Sequence, residues 1–240
     1  MSRGIYIIGT DTDVGKTVVA AALMHLFMKN GYRTAYFKPV ASGTTNMGGS
    51  EVSADAAFVR LVSGFDEQPE LTTPFAFADP VAPHLAARWS GRRINPAVIQ
   101  ERLQHLKNRY EVIIAEGAGG LAVPLNDEGV MQDAVIRTAG LPCLLVARSG
   151  LGTINHTLLT LAYAEKVEIR ISGILFNRFG NSPLEQDNIS TIQKLSGMKA
   201  ILTFPDLRTD EGEQGQAEQI RQFGIRFINF ENLKRLMGMV

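Results

Sequence analysis

Short runs of largely apolar residues, each followed by a stretch with helical spacing, constrain this chain more than any other feature. Ile5–Ile8, Thr34–Phe37, Val112–Ala115, Cys143–Ala147, Ile171–Phe176 and Ala200–Phe204 do not alternate between apolar and polar. A strand with one wet face alternates; one buried on both faces does not, which is the habit of parallel sheets covered by helices. Between the runs, Thr17–Lys29, Ala97–Lys107, Gln132–Ala139, Thr153–Glu165 and Leu184–Ser196 carry helical spacing. In the first of these, Val18, Ala21, Ala22, Met24 and Leu26 or Phe27 form the predicted apolar face. The β-α-β-α order predicts an α/β fold, a mostly parallel sheet flanked by helices on both faces. From Pro39 to Pro96 the rhythm lapses into Gly, Ser, Thr and Pro, with a helix predicted at Ser53–Ser63 and a long insertion through Thr72–Arg93. No repeat or interdomain linker interrupts the chain, so one domain over residues 1–240 is expected.

Composition removes several classes of function. Lys plus Arg number 24 and Asp plus Glu number 24, so bulk charge favours neither nucleic acid nor an anionic membrane. Val18–Met24 is the longest apolar stretch, far short of the roughly 20 residues that span a bilayer. The start, MSRGIYIIGTDTD, lacks the pattern of a signal peptide, so a cytoplasmic location is expected. The single cysteine, Cys143, lies in the apolar run LPCLLVA and predicts a buried strand position, without a disulfide or a cysteine-based zinc site.

In open parallel sheets, ligands bind beyond the carboxyl ends of the strands. After the first run comes Gly9-Thr10-Asp11-Thr12-Asp13-Val14-Gly15-Lys16-Thr17, leading straight into a helix. The usual phosphate-loop spacing would put its first Gly at Thr10; here the Gly is one residue earlier. The surrounding strand–turn–Gly-Lys-Thr–helix order is nevertheless that of a phosphate loop. Backbone N–H groups at a helix start point at phosphate oxygens. Gly15 lets the backbone approach, Lys16 neutralises the β- and γ-phosphates, and the Thr17 hydroxyl can ligate Mg²⁺.

Three further strand ends carry chemistry. Val112-Ile-Ile-Ala-Glu116-Gly117-Ala118-Gly119-Gly120 puts a carboxylate at the tip of a predicted buried strand, where it can hold Mg²⁺ or its waters. Lys38 opens Lys38-Pro39-Val40-Ala41-Ser42-Gly43 after the second run and would add positive charge where a phosphoryl group is transferred. Asp55 either completes the Mg²⁺ site or stabilises a helix start. Gly150-Leu151-Gly152-Thr153-Ile154-Asn155 reads as a glycine loop entering a helix, with Thr153 as predicted N-cap and free N–H groups for an anion.

Together these pieces resemble the dethiobiotin synthetase family. The matching segments are GTDTDVGKT (9–17), FKPVASG (37–43), SADA (53–56), APHLAA (82–87), EGAGGLAVPL (116–125), GLGTINHTLLT (150–160) and GILFNR (173–178), in family order. The resemblance implies an ATP- and Mg²⁺-dependent cyclo-ligase of biotin synthesis. In that family 7,8-diaminononanoate and CO₂ form a carbamate, ATP phosphorylates it, and the second amine closes a cyclic urea. Carried over by motif, Thr12, Lys16, Lys38 and Ser42 would surround the carbamate and γ-phosphate, with Lys38, Lys16 and Thr12 catalytic. Thr17, Asp55 and Glu116 would hold Mg²⁺. Nucleotide contacts would come from Asp13, Val14, Gly15, Lys16, Thr17, Val18, Asp55, Glu116, Gly117, Ala118, Gly119, Asn177, Arg178, Pro205, Asp206 and Leu207, with Asn177 meeting the base. Gly119 would also touch the substrate. Gly152, Thr153 and Asn155 would serve the substrate carboxylate across a homodimer interface.

Two other readings weigh less. An amidoligase with a glutaminase domain needs a nucleophilic Cys and a His partner, and there is no Cys after 143 and no His after 156. A partitioning or positioning ATPase switch would carry an extra Lys near the start of a glycine-richer loop, where Thr10, Asp11 and Thr12 stand instead. Its membrane contact could use the stripe Phe230, Leu233, Leu236 and Met237; a helix docked on its own core is the favoured expectation, since only Lys234 and Arg235 flank it. Asn177-Arg178-Phe179-Gly180 lacks the Asp of a guanine-reading pattern, while Asn can both donate to and accept from adenine. His84, in APHLAA, is read as near the substrate or as structural.

Overall fold

A computed structural model describes residues 3–240. The first half of the chain runs β1 (Arg3–Gly9), α1 (Lys16–Lys29), β2 (Thr34–Phe37), β3 (Val40–Ser42), β4 (Thr44–Met47), β5 (Ser50–Ser53), α2 (Ala54–Ser63), α3 (Pro69–Thr72), β6 (Phe75–Phe77), α4 (Pro83–Trp89) and α5 (Pro96–Arg109). The second half runs β7 (Val112–Gly120), α6 (Gln132–Ala139), β8 (Cys143–Arg148), α7 (Thr153–Lys166), β9 (Ile171–Asn177), α8 (Pro183–Ser196), β10 (Ile201–Thr203), α9 (Gly212–Gln222) and α10 (Phe230–Leu236). Six strands form one sheet in the order β10-β9-β8-β1-β7-β2, and every pairing in it is parallel. Because β7 lies between β1 and β2, the chain crosses over it on leaving β1. The ends of β1, β7 and β2 therefore open side by side, where such sheets bind ligands.

The non-alternating runs are the sheet's interior. Ile5, Ile7, Ile8, Val112, Ile113, Ile114, Leu144, Leu145 and Val146 are fully buried. Cys143 is buried in β8, as expected. The stripe predicted for α1 is too narrow. Val18 is only half-buried, while Ala20, Leu23 and the rest of Val19–Met24 are fully buried, because α2 and α9 pack on the side of α1 away from the sheet. Each large side chain enclosed in this way contributes about 1.5–3 kcal/mol. The C-terminal stripe packs inward as favoured: Leu233 is fully buried and the Phe230 ring meets Phe27 at 5.1 Å and Tyr32 at 6.0 Å. No helix among the described residues is long and apolar enough to cross a membrane.

The irregular stretch after Pro39 is more ordered than its composition suggests. β3 pairs in parallel with β6, and β4 pairs with β5 as a hairpin. The predicted insertion Thr72–Arg93 thus contains a strand and the helix α4. Ser53 caps α2, accepting from the Ala56 N–H at 3.3 Å, which places Asp55 in the first helical turn. Local chemistry also sets the start of α8, where Ser182 and Glu185 form a reciprocal capping box.

Candidate active site

The loop after β1 wraps the first turn of α1. Its offset glycine has a steric reason. A Cβ on Gly9 would come within 2.8 Å of the Asp11 carbonyl and 3.0 Å of Lys16 Nζ, so the close approach needs glycine here. Gly15 has φ +93°, and a Cβ there would fall 1.9 Å from Asn177 Nδ2. Only glycine suits that position. Asp13 also has positive φ, 57°, a conformation that Asp tolerates better than most residues.

Lys16, at the start of α1, and Lys38, just after β2, line one cleft. Lys16 is 5% exposed and donates to the Asp11 carbonyl at 2.9 Å. Burial, reinforced by the charge of Lys38, lowers its pKa to about 8 against the opposing pull of Glu116, Asp55 and Asp13. Lys38 is buried between two carboxylates, 2.7 Å from Asp55 and 2.7 Å from Glu116. Burial works against its charge, but Glu116 and Asp55 outweigh burial and hold its pKa above the ordinary lysine value. Burial likewise works against the Asp55 carboxylate, but Lys38 and the Thr17 hydroxyl hold its pKa below the usual carboxylate range.

Thr17 Oγ1 lies 2.7 Å from Asp55 and 2.9 Å from Glu116, so the three predicted metal ligands do converge. The Lys38 ammonium stands among them. A pocket of oxygen donors already arranged around a positive charge suits a hard divalent cation. No group of three or more His, Cys, Asp or Glu side chains placed to hold a metal ion occurs among the described residues. A cation here would take two carboxylates, a hydroxyl, phosphate oxygens and water, which is the usual manner of Mg²⁺.

A cleft of about 300 Å³ opens over this cluster, lined by Thr12, Asp13, Gly15, Lys16, Thr17, Val18, Lys38, Ser42, Asp55, Glu116, Ala118, Gly119 and Arg178. The sequence predicts Glu116 at a strand tip; β7 instead continues to Gly120, so the carboxylate sits within the strand and is fully buried. Gly117 contributes its carbonyl, which accepts from Lys38 at 3.3 Å. Val14 is buried beneath the loop. Its carbonyl accepts from Asn177 Nδ2 at 2.9 Å, and Asn177 Oδ1 is buried without a partner. Asn177 thus ties β9 to the phosphate loop and, unlike its neighbour Arg178, does not line the cleft. Pro205, Asp206 and Leu207 follow β10 alongside, where the Phe179 N–H donates to the Phe204 carbonyl at 2.9 Å. They do not line the cleft.

Gly152, Thr153 and Asn155 do not reach this cleft within one chain. Gly152 and Asn155 are exposed, and Thr153 is buried. Thr153 is not the N-cap of α7; Gly152 is, and no side chain caps that end. The Thr153 hydroxyl turns back to the Arg148 carbonyl at 2.5 Å, because it lies inside the first turn. His84 is half-buried at the start of α4, with Nδ1 unpartnered, and does not line the cleft.

Two residues that hydrogen-bond to the site carry no signal in the sequence. Gln132, the first residue of α6, accepts from the Ala118 N–H at 2.6 Å and donates to the Gly120 carbonyl at 2.8 Å, bracing the glycine segment. Tyr36, which reads as one more apolar strand residue, donates to Glu116 Oε2 at 2.7 Å. Neither had a local signal, since each acts on a segment more than ten residues away.

A parallel sheet with a phosphate loop after its first strand, and with two lysines and two carboxylates gathered at one cleft, defines a P-loop nucleotide-binding protein. The AAA domain family profile matches residues 3–214. Solved structures agree on the fold: the Pyrococcus furiosus cell division ATPase MinD superposes with a TM-score of 0.60 at 17% identity, covering 99% of each chain. A ParA family ATPase from Chlorobium tepidum gives 0.57 at 16% identity, covering 99% of this chain and 97% of that one. Identities so low speak for the fold alone. Curated sequences are more specific. Proteins named ATP-dependent dethiobiotin synthetase BioD are 36% identical in Clostridium kluyveri, covering 99% of both chains, and 39% identical in Caldicellulosiruptor bescii, covering 99% of this chain and 98% of that one. The chain belongs to the ATP-dependent dethiobiotin synthetase family of ligases.

Proposed function

We propose that this protein converts 7,8-diaminononanoate, CO₂ and ATP into dethiobiotin, ADP and phosphate. An amine nitrogen attacks CO₂ to give a carbamate, whose oxygen displaces ADP from the γ-phosphorus. The second amine then attacks the activated carbonyl carbon, phosphate leaves, and the cyclic urea closes. The observation that carries this reading is the pairing of Lys16 with Lys38 above one cleft that Thr12 and Ser42 also line. Lys16 neutralises the β- and γ-phosphates. Lys38 faces the transferring group from the opposite strand, and the Thr12 and Ser42 hydroxyls orient the carbamate. Such positioning and charge neutralisation is most of what phosphoryl transfer needs from a protein. Mg²⁺ held by Thr17, Asp55 and Glu116 would supply charge for the phosphate oxygens. Asn177 and Arg178, with Pro205–Leu207 beside them, would meet the adenine.

The chain works as one unit over residues 1–240, cytoplasmic and homodimeric, with the carboxylate of the diamine held at the Gly152–Asn155 helix start of a second copy. Exposed Leu151 and Leu159 beside that helix start support a covering partner. A switch ATPase shares the fold, but the two-lysine cleft and the family point to a small substrate. Mass-spectrometric detection of dethiobiotin from diaminononanoate, bicarbonate, Mg²⁺ and ATP is the expected outcome. ATP hydrolysis stimulated by vesicles or DNA, with no product from the diamine, would overturn the reading.

The lowered pKa of Lys16 gives a signed expectation. Near pH 8 the free enzyme has lost part of the Lys16 proton, and a bound phosphate favours the charged form again. ADP binding somewhat above pH 8 should therefore take up protons, read by calorimetry in buffers of different ionisation enthalpy. Proton release, or an uptake that survives Lys16→Met, would assign the titration to another group.

A further inference from the structure

The Glu116 carboxylate is used on both sides. Oε1 faces the cleft, 2.7 Å from Lys38 Nζ and 2.9 Å from Thr17 Oγ1. Oε2 points the other way and accepts from the Tyr36 hydroxyl at 2.7 Å. Both partners in this contact are buried, Tyr36 at 1% exposure and Glu116 at 0%, so no solvent competes for Oε2. The phenol ring is fixed in β2, whose Tyr36 lies in register with Ile114 of β7, two residues before Glu116. Hydroxyl and carboxylate are therefore carried by adjacent, paired strands of the sheet, and neither can turn away without disturbing the core.

A carboxylate oxygen can accept a hydrogen bond and still ligate a metal; what the Tyr36 contact fixes is orientation, with Oε2 held in the core and Oε1 turned towards the cleft. This matters for which metal it suits. Mg²⁺ demands near-octahedral geometry with short bonds and is served by single oxygens, whereas Ca²⁺ takes six to eight oxygens and readily uses both oxygens of one carboxylate. We infer that Tyr36 is a specificity-determining positioning residue, which holds Glu116 to one-oxygen ligation and so biases the site towards Mg²⁺ over Ca²⁺. It touches neither substrate nor metal; it acts through Glu116. The inference rests on the metal site proposed above and adds to it the reason for the choice of ion.

Tyr36→Phe keeps the ring in the core and removes only the donor. ADP affinity would be titrated calorimetrically on wild type and variant, with Mg²⁺ and with Ca²⁺. Freed Oε2 should let Ca²⁺ be held more tightly, and removal of such a partner typically changes metal affinity by tenfold or more. The expected result is a shift of about tenfold in the Mg²⁺-to-Ca²⁺ preference towards Ca²⁺. Tyr6→Phe is the control, since Tyr6 is fully buried on the neighbouring β1 with its hydroxyl unpartnered. It should leave the preference where it was. A preference unchanged within about twofold in Tyr36→Phe, or moved as far by Tyr6→Phe, would overturn the inference.

A second measurement does not depend on either variant. In a crystal structure of wild type with Ca²⁺ and ADP, Glu116 should ligate through Oε1 alone with the Tyr36 contact intact. Glu116 bound to Ca²⁺ through both oxygens would refute the role of Tyr36. Failure of the underlying site looks different: ADP affinity in wild type would then not respond to Mg²⁺ at all.

Discussion

Lys38→Ala should lower turnover by about a hundredfold or more, the scale of losing a transition-state charge, while ADP binding changes far less. The ammonium is the one cationic group that reaches the cleft from β2, and its surroundings keep it charged. The transferring phosphoryl group spreads its charge over three oxygens, and charge placed in advance costs no reorganisation when it develops. Alanine would also remove the ammonium between Asp55 and Glu116 and leave Lys16 as the nearest lysine charge. Breaking a fully buried pair such as Lys38–Glu116 costs about 3–5 kcal/mol; a third of the Asp55 side chain meets solvent, so the share from that pair should be smaller. The two effects separate by experiment. Melting temperature should fall without Mg²⁺ and recover when Mg²⁺ and ADP restore positive charge, whereas the rate should not recover. A rate within about threefold of wild type would remove Lys38 from the chemistry.

The second large effect is expected from two variants that are each nearly inactive. Lys16→Ala disables the phosphate loop. Gly152→Asp puts a negative charge at the start of α7, where the substrate carboxylate is proposed to sit against free N–H groups. Neither Gly152 nor Asn155 lines the cleft of its own chain, so the tail site must come from a second copy if it serves the reaction. Co-refolding the two variants should then restore activity. One site of each mixed dimer would combine an intact loop with an intact tail pocket. A purified mixed dimer without activity would mean that the tail binds within one subunit or elsewhere.

Much of the fold was legible because its signals are local. Non-alternating runs such as Val112–Ala115 and Cys143–Ala147 can be stable only when covered on both faces, and that alone demands a parallel sheet between helices. Gly-Lys-Thr after a strand marks the phosphate loop for the same reason, since one backbone turn supplies all its donors. The offset of Gly9 was visible as an anomaly, but its cause is the approach of Lys16 Nζ and the Asp11 carbonyl in space.

By itself the sequence marked the buried strands of the main sheet, the helices between them and the phosphate loop, and named Lys16, Thr17, Lys38, Asp55 and Glu116 as candidates. Lys16, Thr17, Lys38 and Asp55 stand at or near the end of an element, whereas Glu116 lies inside β7. Only the tertiary structure decided how those residues meet. The strand order places β7 between β1 and β2, so a carboxylate from residue 116, a hydroxyl from 17 and a carboxylate from 55 close around one ammonium. Tyr36 and Gln132 gained their roles in the same step. A tyrosine in an apolar strand and a glutamine at a helix start carry no local mark of function, because the groups they hold belong to strand positions that only the folded sheet brings within hydrogen-bond reach.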